Sequence, residues 1–346
     1  MGTHKEKFLE LAKTTNRIII TSHVSPDSDA IASCLSMYRW VKNNLPDKEV
    51  HIFYENLENA DYNYLALYEK IEWVNNLPAK LKGGDMLVLL DGTPLHRFTK
   101  YPEEIKTDSY MTYCIDHHEP EENNHNYWIT EPLTTSCCEL VSRYFYTDKE
   151  LEEKVAAETL LTGILADTGS FAFVDQRSTS VFIEAKRIVE NGKIRIDELQ
   201  RKISSIKPSE YELAKIFVAN SKNVKIREDL PGLTYSYINK TGVENYTESE
   251  VSGGYHVFVT RFMRQIESYT WGFVITPTKD EYRISFRSST GAPNVQKIVK
   301  EYFDGGGHIM ASGGKLSLDA AKDTKEAAGV VLDRIKNAKI EIVPEN

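Results

Sequence analysis

A parallel α/β domain followed by a smaller α+β domain is the architecture this sequence predicts, and three observations predict it. Over the first half, short and nearly continuous apolar runs alternate with segments of helical spacing. After about residue 220 the runs give way to strict alternation, the pattern of half-exposed strands. The length, 346 residues, is more than one ordinary domain needs.

The first apolar run is RIIITS (17–22). Residues 29–44 then carry Ile31, Leu35, Tyr38 and Val41 at helical spacing. VHIFY (50–54), MLVLLD (86–91) and MTYCID (111–116) repeat the strand pattern, and unbroken apolar runs are the mark of parallel strands covered on both faces. From Thr135 the spacing is helical through TSCCELVSRYFY and LEEKVAAETLLTGILADTG, with two more helices expected near 178–191 and 208–222. LTYSYI, WGFVITP and YRISFRSS read as antiparallel strands; a glycine-rich turn at 305–307 and a helix near 319–337 close the chain. The expected division is an α/β domain over 1–192, a helical linker over 193–215 and an α+β domain over 216–346.

Composition narrows the function. A net charge of −9 speaks against broad binding to long duplex nucleic acid, which favours a basic face. A small anionic ligand stays open, because a metal or a local basic cluster can invert the field of one site. The four cysteines lack CxxC spacing, so a reducing compartment is expected. Residues 1–17 are too polar for a signal peptide, and no stretch nears the roughly 20 apolar residues of a membrane helix. The expectation is a cytoplasmic protein without membrane partners; a homodimer is one option for its assembly.

Ionisable side chains recur just past apolar elements. TSHVSPDSDA places His23, Asp27 and Asp29 in a tight strand-to-helix loop, although Asp29 alone could cap the helix beginning at Ala30. Asp91 ends MLVLLD, where a turn former is common. Asp116, His117 and His118 end MTYCID; a turn accounts for one Asp but not for two histidines beside it. Asp167 closes a helix whose C-terminal dipole disfavours a carboxylate, an objection that a bound cation removes. Ligands of open parallel sheets bind outside the carboxyl ends of the strands, so these groups are expected to converge there. Imidazole and carboxylate donors together suit two divalent cations, Mn²⁺ before Mg²⁺ or Co²⁺. Such a pair acidifies an attacking water and offsets phosphoryl charge.

HVSPDSDA, the Asp of LLDGTP, IDHHE and ADTGSF resemble the four motifs of the DHH phosphoesterases. DGGGHIMASGG (304–314) resembles the glycine-rich signature of the DHH-associated C-terminal domain in the RecJ-like branch. The likeness spans nearly the whole chain, and the short two-domain length is similar to the nanoRNase/pAp-phosphatase type. It implies a catalytic domain over 1–192, a substrate-binding domain over 216–346 and an active site in the cleft between them. By position, the resemblance implies one cation on His23, Asp27 and Asp91. It implies a second on Asp29, Asp91, His117 and Asp167, with Asp91 shared. His118 would face the scissile phosphate, with Asp116 behind it orienting an imidazole. One departure stands out: Ala32-Ser33 replaces the family's Gly before Ser.

The second half supplies candidates for holding the rest of a substrate. Gly305, Gly306 and Gly307 would let backbone N–H groups approach a terminal phosphate, with His308 beside them. Arg287 ends a strand and could add a phosphate contact, Ser288 and Ser289 hydroxyl donors; Arg283 shares the strand face. Arg97, soon after Asp91, is a further candidate. The leading expectation is a Mn²⁺-dependent phosphodiesterase that degrades short single-stranded oligonucleotides to mononucleotides and dephosphorylates adenosine 3′,5′-bisphosphate. A cyclic- or linear-dinucleotide phosphodiesterase is the near alternative, and a non-catalytic nucleotide-binding protein the different-class one. No expected ligand position has lost a competent side chain, which weakens the last.

Overall fold

Six strands form a wholly parallel sheet: β1 (Arg17–Ser22), β2 (Glu49–Glu55), β3 (Ile71–Val74), β4 (Met86–Leu90), β5 (Met111–Asp116) and β6 (Tyr127–Thr130). Their order is β3-β2-β1-β4-β5-β6. The computed structural model describes residues 2–56, 62–119, 125–263 and 265–344. The chain divides into two units, Met1–Ser205 and Ile206–Asn346.

The apolar runs are buried along their length, as a parallel sheet requires: every residue of β1 and β4 is buried. Side chains alternate between the faces. Ile18, Ile20, Val88 and Leu90 join a core filled by helices, whereas Ile19, Leu87 and Leu89 join a second core on the opposite face. The helices of this unit are α1 (Gly2–Thr14), α2 (Ser28–Asn44), α3 (Cys137–Phe145), α4 (Asp148–Leu151), α5 (Lys154–Asp167), α6 (Ser180–Gly192) and α7 (Ile196–Ile203). Both faces are covered, but among the described residues α-helices cover only the first. Leu77, Leu81, Phe98 and Ile105, at the ends of short 3₁₀ turns, close the second. Pro78, Gly83-Gly84, Pro94 and Pro102 punctuate those connections and keep them from forming longer helices.

Helix α1 was not expected from so polar a segment. It is held by Phe8, fully buried with its ring edge-on to Trp40, Tyr113 and Phe145 at 5.1–5.6 Å. Burying one such ring contributes about 1.5–3 kcal/mol, enough to anchor a helix with few other apolar residues.

The second unit carries α8 (Pro208–Asn220), β7 (Lys222–Val224), β8 (Leu233–Tyr237), α9 (Lys240–Val243), α10 (Glu248–Phe258), β9 (Trp271–Pro277), β10 (Glu281–Arg287), α11 (Val295–Tyr302), β11 (Gly306–His308), β12 (Ala311–Ser317) and α12 (Thr324–Lys336). The sheet runs β11-β12-β10-β9-β8-β7. It is mixed and not antiparallel throughout: β8 and β9 pair in parallel. Their connection passes through α9 and α10, the long crossover that a parallel pair needs. Phe273, Ile275, Ile284 and Phe286 pack on α11 and α12, and Val274 faces the other way toward α8 and α10.

The expected glycine turn is instead strand β11, closed on β12 in a tight antiparallel hairpin. A Cβ on Gly305 would lie 2.1 Å from the Gly313 carbonyl, and one on Gly307 2.6 Å from that of Ala311. Backbone packing therefore demands these two glycines; around Gly306 there is open space. The stretch 193–215, expected as a linker, consists of α7 and the start of α8, and the units part at Ser205. Among the described residues no helix is long and apolar enough to cross a membrane. All four cysteines are buried and unpaired.

Candidate metal centre

The direction in which successive strands are added to the sheet reverses between β1 and β4, and β5 lies next to β4. That reversal is where open α/β sheets leave a crevice at their carboxyl ends. His23 follows β1, Asp91 follows β4, and Asp116 ends β5 with His117 and His118 beyond it. Asp91 turns out of its strand in the left-handed region, φ +60°. Asp tolerates that conformation better than most residues, at a cost of order 1–3 kcal/mol that the surrounding structure must hold.

Helix α2 starts one turn after β1. Its cap is Asp27 and not Asp29: Asp27 Oδ1 accepts the N–H groups of Asp29 and Ala30, both at 3.0 Å. Asp29, fully buried, serves a different helix. Its two oxygens accept the N–H groups of Cys137 (2.6 Å) and Cys138 (3.0 Å) at the start of α3. Helix α5 passes close enough that a Cβ on Gly163 would lie 2.6 Å from Asp29 Oδ1. The same helix delivers Asp167 at its last residue.

These elements bring seven expected side chains together. His117 Nε2 lies 3.3 Å from Asp91 Oδ1 and 3.2 Å from Asp167 Oδ2, and His23 Nε2 lies 3.3 Å from Asp91 Oδ2. Three donor groups result, each with its ligand atoms within 4.8 Å of one another: His23-Asp27-Asp91, Asp29-His117-Asp167 and Asp91-His117-His118. Asp91 and His117 each belong to two of them. Among the described residues, Asp91 Oδ1 and His117 Nε2 are buried polar atoms without a hydrogen bond of good geometry. Buried orphans facing one another across about 3 Å are what a cation between them would satisfy.

The electrostatics agree with that reading. Burial, and then the neighbouring carboxylates of Asp167 and Asp91, push the Asp29 carboxyl well above its ordinary value. Burial would raise Asp91 too, but the imidazoles of His117 and His23 outweigh it and hold Asp91 below the usual carboxylate range. Burial alone would lower His117; Asp167 and Asp91 overcome it and push the imidazole up to about 11. A proton here does part of the work a divalent cation would do.

His118 stands at the exposed rim. Its Nδ1 meets Asp116 Oδ1 at 2.7 Å, and Asp116 Oδ2 accepts the Thr93 hydroxyl at 2.6 Å. Buried His125 extends the chain, its Nε2 2.6 Å from the Thr93 carbonyl. Neither Thr93 nor His125 was singled out from the sequence, although Thr93 stands two residues after Asp91 in the quoted DGTP. Gly163 was missed as well, since only the fold brings it against Asp29. Arg97 is half-buried on the turn Leu95–Arg97, and its carbonyl accepts the Val24 N–H at 2.7 Å, tying the His23 loop to the segment after Asp91.

The second unit holds the remaining candidates. Arg287 and His308 both pair with Ala311, from the strands on either side of it, so they project from one sheet face about 10 Å apart. Arg287 donates to the Phe286 carbonyl (2.8 Å) and lies over the Tyr255 ring at 5.5 Å. His308 and Gly307 are exposed. Ser288 is fully buried, its N–H on the Met310 carbonyl, so its hydroxyl is not presented to a ligand.

Comparison with known proteins places this geometry. Residues 17–164 match the DHH family N-terminal domain and residues 239–337 the DHHA1 domain. The chain belongs to the DHH family and is an enzyme of its phosphoesterase class. Among curated relatives, a probable bifunctional oligoribonuclease and PAP phosphatase NrnA from Streptococcus mutans is 23% identical over 304 residues, 87% of this chain and 90% of that protein. Among solved structures, an exopolyphosphatase-related protein from Bacteroides fragilis superposes with a TM-score of 0.80 at 23% identity, covering 97% of each chain. RecJ from Thermus thermophilus in complex with Mn²⁺ superposes at 0.50 with 11% identity, over 99% of this chain and 56% of that one.

Proposed function

We propose that this protein hydrolyses short single-stranded oligonucleotides to mononucleotides and removes a phosphate from adenosine 3′,5′-bisphosphate. The reading rests on one observation above the others: Asp91 and His117 link three ligand groups at the carboxyl edge of the sheet. The S. mutans relative's name, oligoribonuclease and PAP phosphatase, points to the same substrates. His23, Asp27, Asp29, Asp91, His117 and Asp167 would hold two divalent cations, Mn²⁺ first among them. Bound there, the cations would supply positive charge beside the scissile phosphate and acidify the attacking water.

The protein's own groups do the rest. Asp116 fixes the His118 ring through Nδ1, which leaves Nε2 to donate a proton to a phosphate oxygen or the departing one. In the second unit, Arg287 and His308, with the backbone around Gly306, offer a surface suited to a phosphate group. Four unpaired buried cysteines suit a cytoplasmic setting.

Product analysis in Mn²⁺ tests this. The panel is a 5′-phosphorylated dinucleotide, a five-nucleotide RNA, a 24-nucleotide strand, a cyclic dinucleotide, adenosine 3′,5′-bisphosphate and pyrophosphate, with His117→Ala protein as the blank. Preferential turnover of the short linear RNAs and the bisphosphate is expected. Faster cleavage of the cyclic compound or of pyrophosphate would replace the reading.

A further inference from the structure

Beside Asp167 lies a cavity of about 190 Å³ whose other walls include Leu133, Thr134, Phe173 and Arg177. Two of these expose unusual apolar surface: Phe173 is 72% accessible and Leu133 61%. The polar lining is already engaged. Thr134 donates to Glu131, and the Arg177 guanidinium grips Asp175 through Nε (3.0 Å) and Nη2 (2.7 Å). With Asp167 and Asp175 against one Arg, the cavity has no surplus positive charge for a phosphate. What it offers a ligand is an aromatic face and an aliphatic one.

Phe173 is exposed but its backbone is fixed. Gly169, Ser170 and Phe171 are three successive residues at positive φ (54°, 58° and 69°). Ser170 and Phe171 are not glycines, so the turn is strained and must be pinned. The Ser170 N–H donates to the Leu165 carbonyl (2.7 Å), that of Phe171 to the Thr168 hydroxyl (3.0 Å) and that of Phe173 to the Thr168 carbonyl (3.0 Å). The Phe173 ring lies on Gly169, where a Cβ would come within 2.5 Å of it.

We infer that Phe173 and Leu133 form the base-binding site for the nucleotide whose phosphate sits at the Asp167 end of the cavity. The inference rests on the proposed reading of Asp167 as part of the metal centre. Every nucleobase has a flat apolar face, so stacking on Phe173 accepts all four bases. The cavity has room for one base. It thus fits a catalyst that takes single terminal nucleotides from short strands of any sequence.

The test is calorimetric binding in Mn²⁺ of AMP and ribose 5-phosphate, which share sugar and phosphate but differ by the base. The proteins are wild type, Phe173→Ala and Phe173→Trp; the exposed position makes all three foldable. Wild type is expected to bind AMP about tenfold more tightly than ribose 5-phosphate, Phe173→Ala to lose the difference and Phe173→Trp to keep it. Equal affinity for the two ligands in wild type, or unchanged AMP affinity in Phe173→Ala, overturns the base site. Since the readout is binding, a protein that prefers AMP through Phe173 yet turns over nothing in the substrate panel sinks the hydrolase reading and leaves the base site standing. Turnover without a base preference does the reverse.

Discussion

The Asp116 carboxylate is shared between His118 Nδ1, 2.7 Å from one oxygen, and the Thr93 hydroxyl, 2.6 Å from the other. Burial would raise the Asp116 pKa, yet these bonds outweigh it and hold the carboxyl below its ordinary value. An anionic Asp116 accepts the Nδ1–H of His118 and so fixes the ring's orientation, leaving Nε2 to carry the proton handed to the substrate.

Thr93→Val removes one anchor of that carboxylate without touching any proposed ligand. It is expected to lower kcat on a dinucleotide about tenfold with KM little changed. Loss of the bond within buried surroundings costs about 1–3 kcal/mol, seen in thermal melts. His118→Ala should cost more in kcat, and the double variant no more than His118→Ala alone. Additive losses in steady-state kinetics would mean Thr93 acts by another route.

Metal binding at His117 should release a proton. In the metal-free protein the imidazolium is held by Asp167 and Asp91 with its pKa raised to about 11. The stabilisation this gives is complete below the unfolded value near 6.5 and is lost as pH rises toward 11. A cation competes with that proton, so apparent affinity for Mn²⁺ should rise about tenfold per pH unit from 6.5 to 8.5. The gain in melting temperature on adding Mn²⁺ should grow over the same window. A pH-independent gain would contradict the assignment.

Gly163→Ala puts a Cβ 2.3 Å from Cys138 Sγ and 2.6 Å from Asp29 Oδ1, two atoms without room to retreat. Overpacking of this kind costs about 1–3 kcal/mol. Because the strain falls on Asp29, Mn²⁺ affinity measured by titration should weaken along with the melting temperature. Unchanged affinity in a destabilised protein would show that Asp29 matters for folding alone.

The glycines of the second unit separate shape from binding. Gly305→Ala collides with a carbonyl and should destabilise the protein by about 1–3 kcal/mol in denaturant melts. Gly306→Ala meets nothing within 4 Å and should leave the melt unchanged. If a substrate phosphate approaches the backbone there, the same change raises KM several-fold. Wild-type KM in Gly306→Ala would leave phosphate binding to Arg287 and His308.

The parallel sheet and the convergence of His23, Asp91 and Asp116–His118 were legible because strand ends are local: an apolar run stops and an ionisable group follows. The job of Asp29 was not. Its partners, Cys137 and Cys138, are more than a hundred residues away, and nothing near Asp29 announces them. Alternation in LTYSYI and WGFVITP marked strands correctly but carries no direction; the helices between β8 and β9 decide that. Helix α1 stayed hidden because Phe8 contributes so much of its anchorage from a single position. The hairpin of β11 and β12 was masked by glycines whose first reading is a turn.

Asp29 also bears on how this centre could decay over evolutionary time. A lineage that abandoned catalysis would still need a carboxylate there, to tie the start of α3 to α2. His23 has no such second duty: its ring projects from a loop and faces Asp91. In a related sequence, a retained Asp29 would therefore testify to an intact scaffold, and a lost His23 would be the earlier sign of a silenced enzyme.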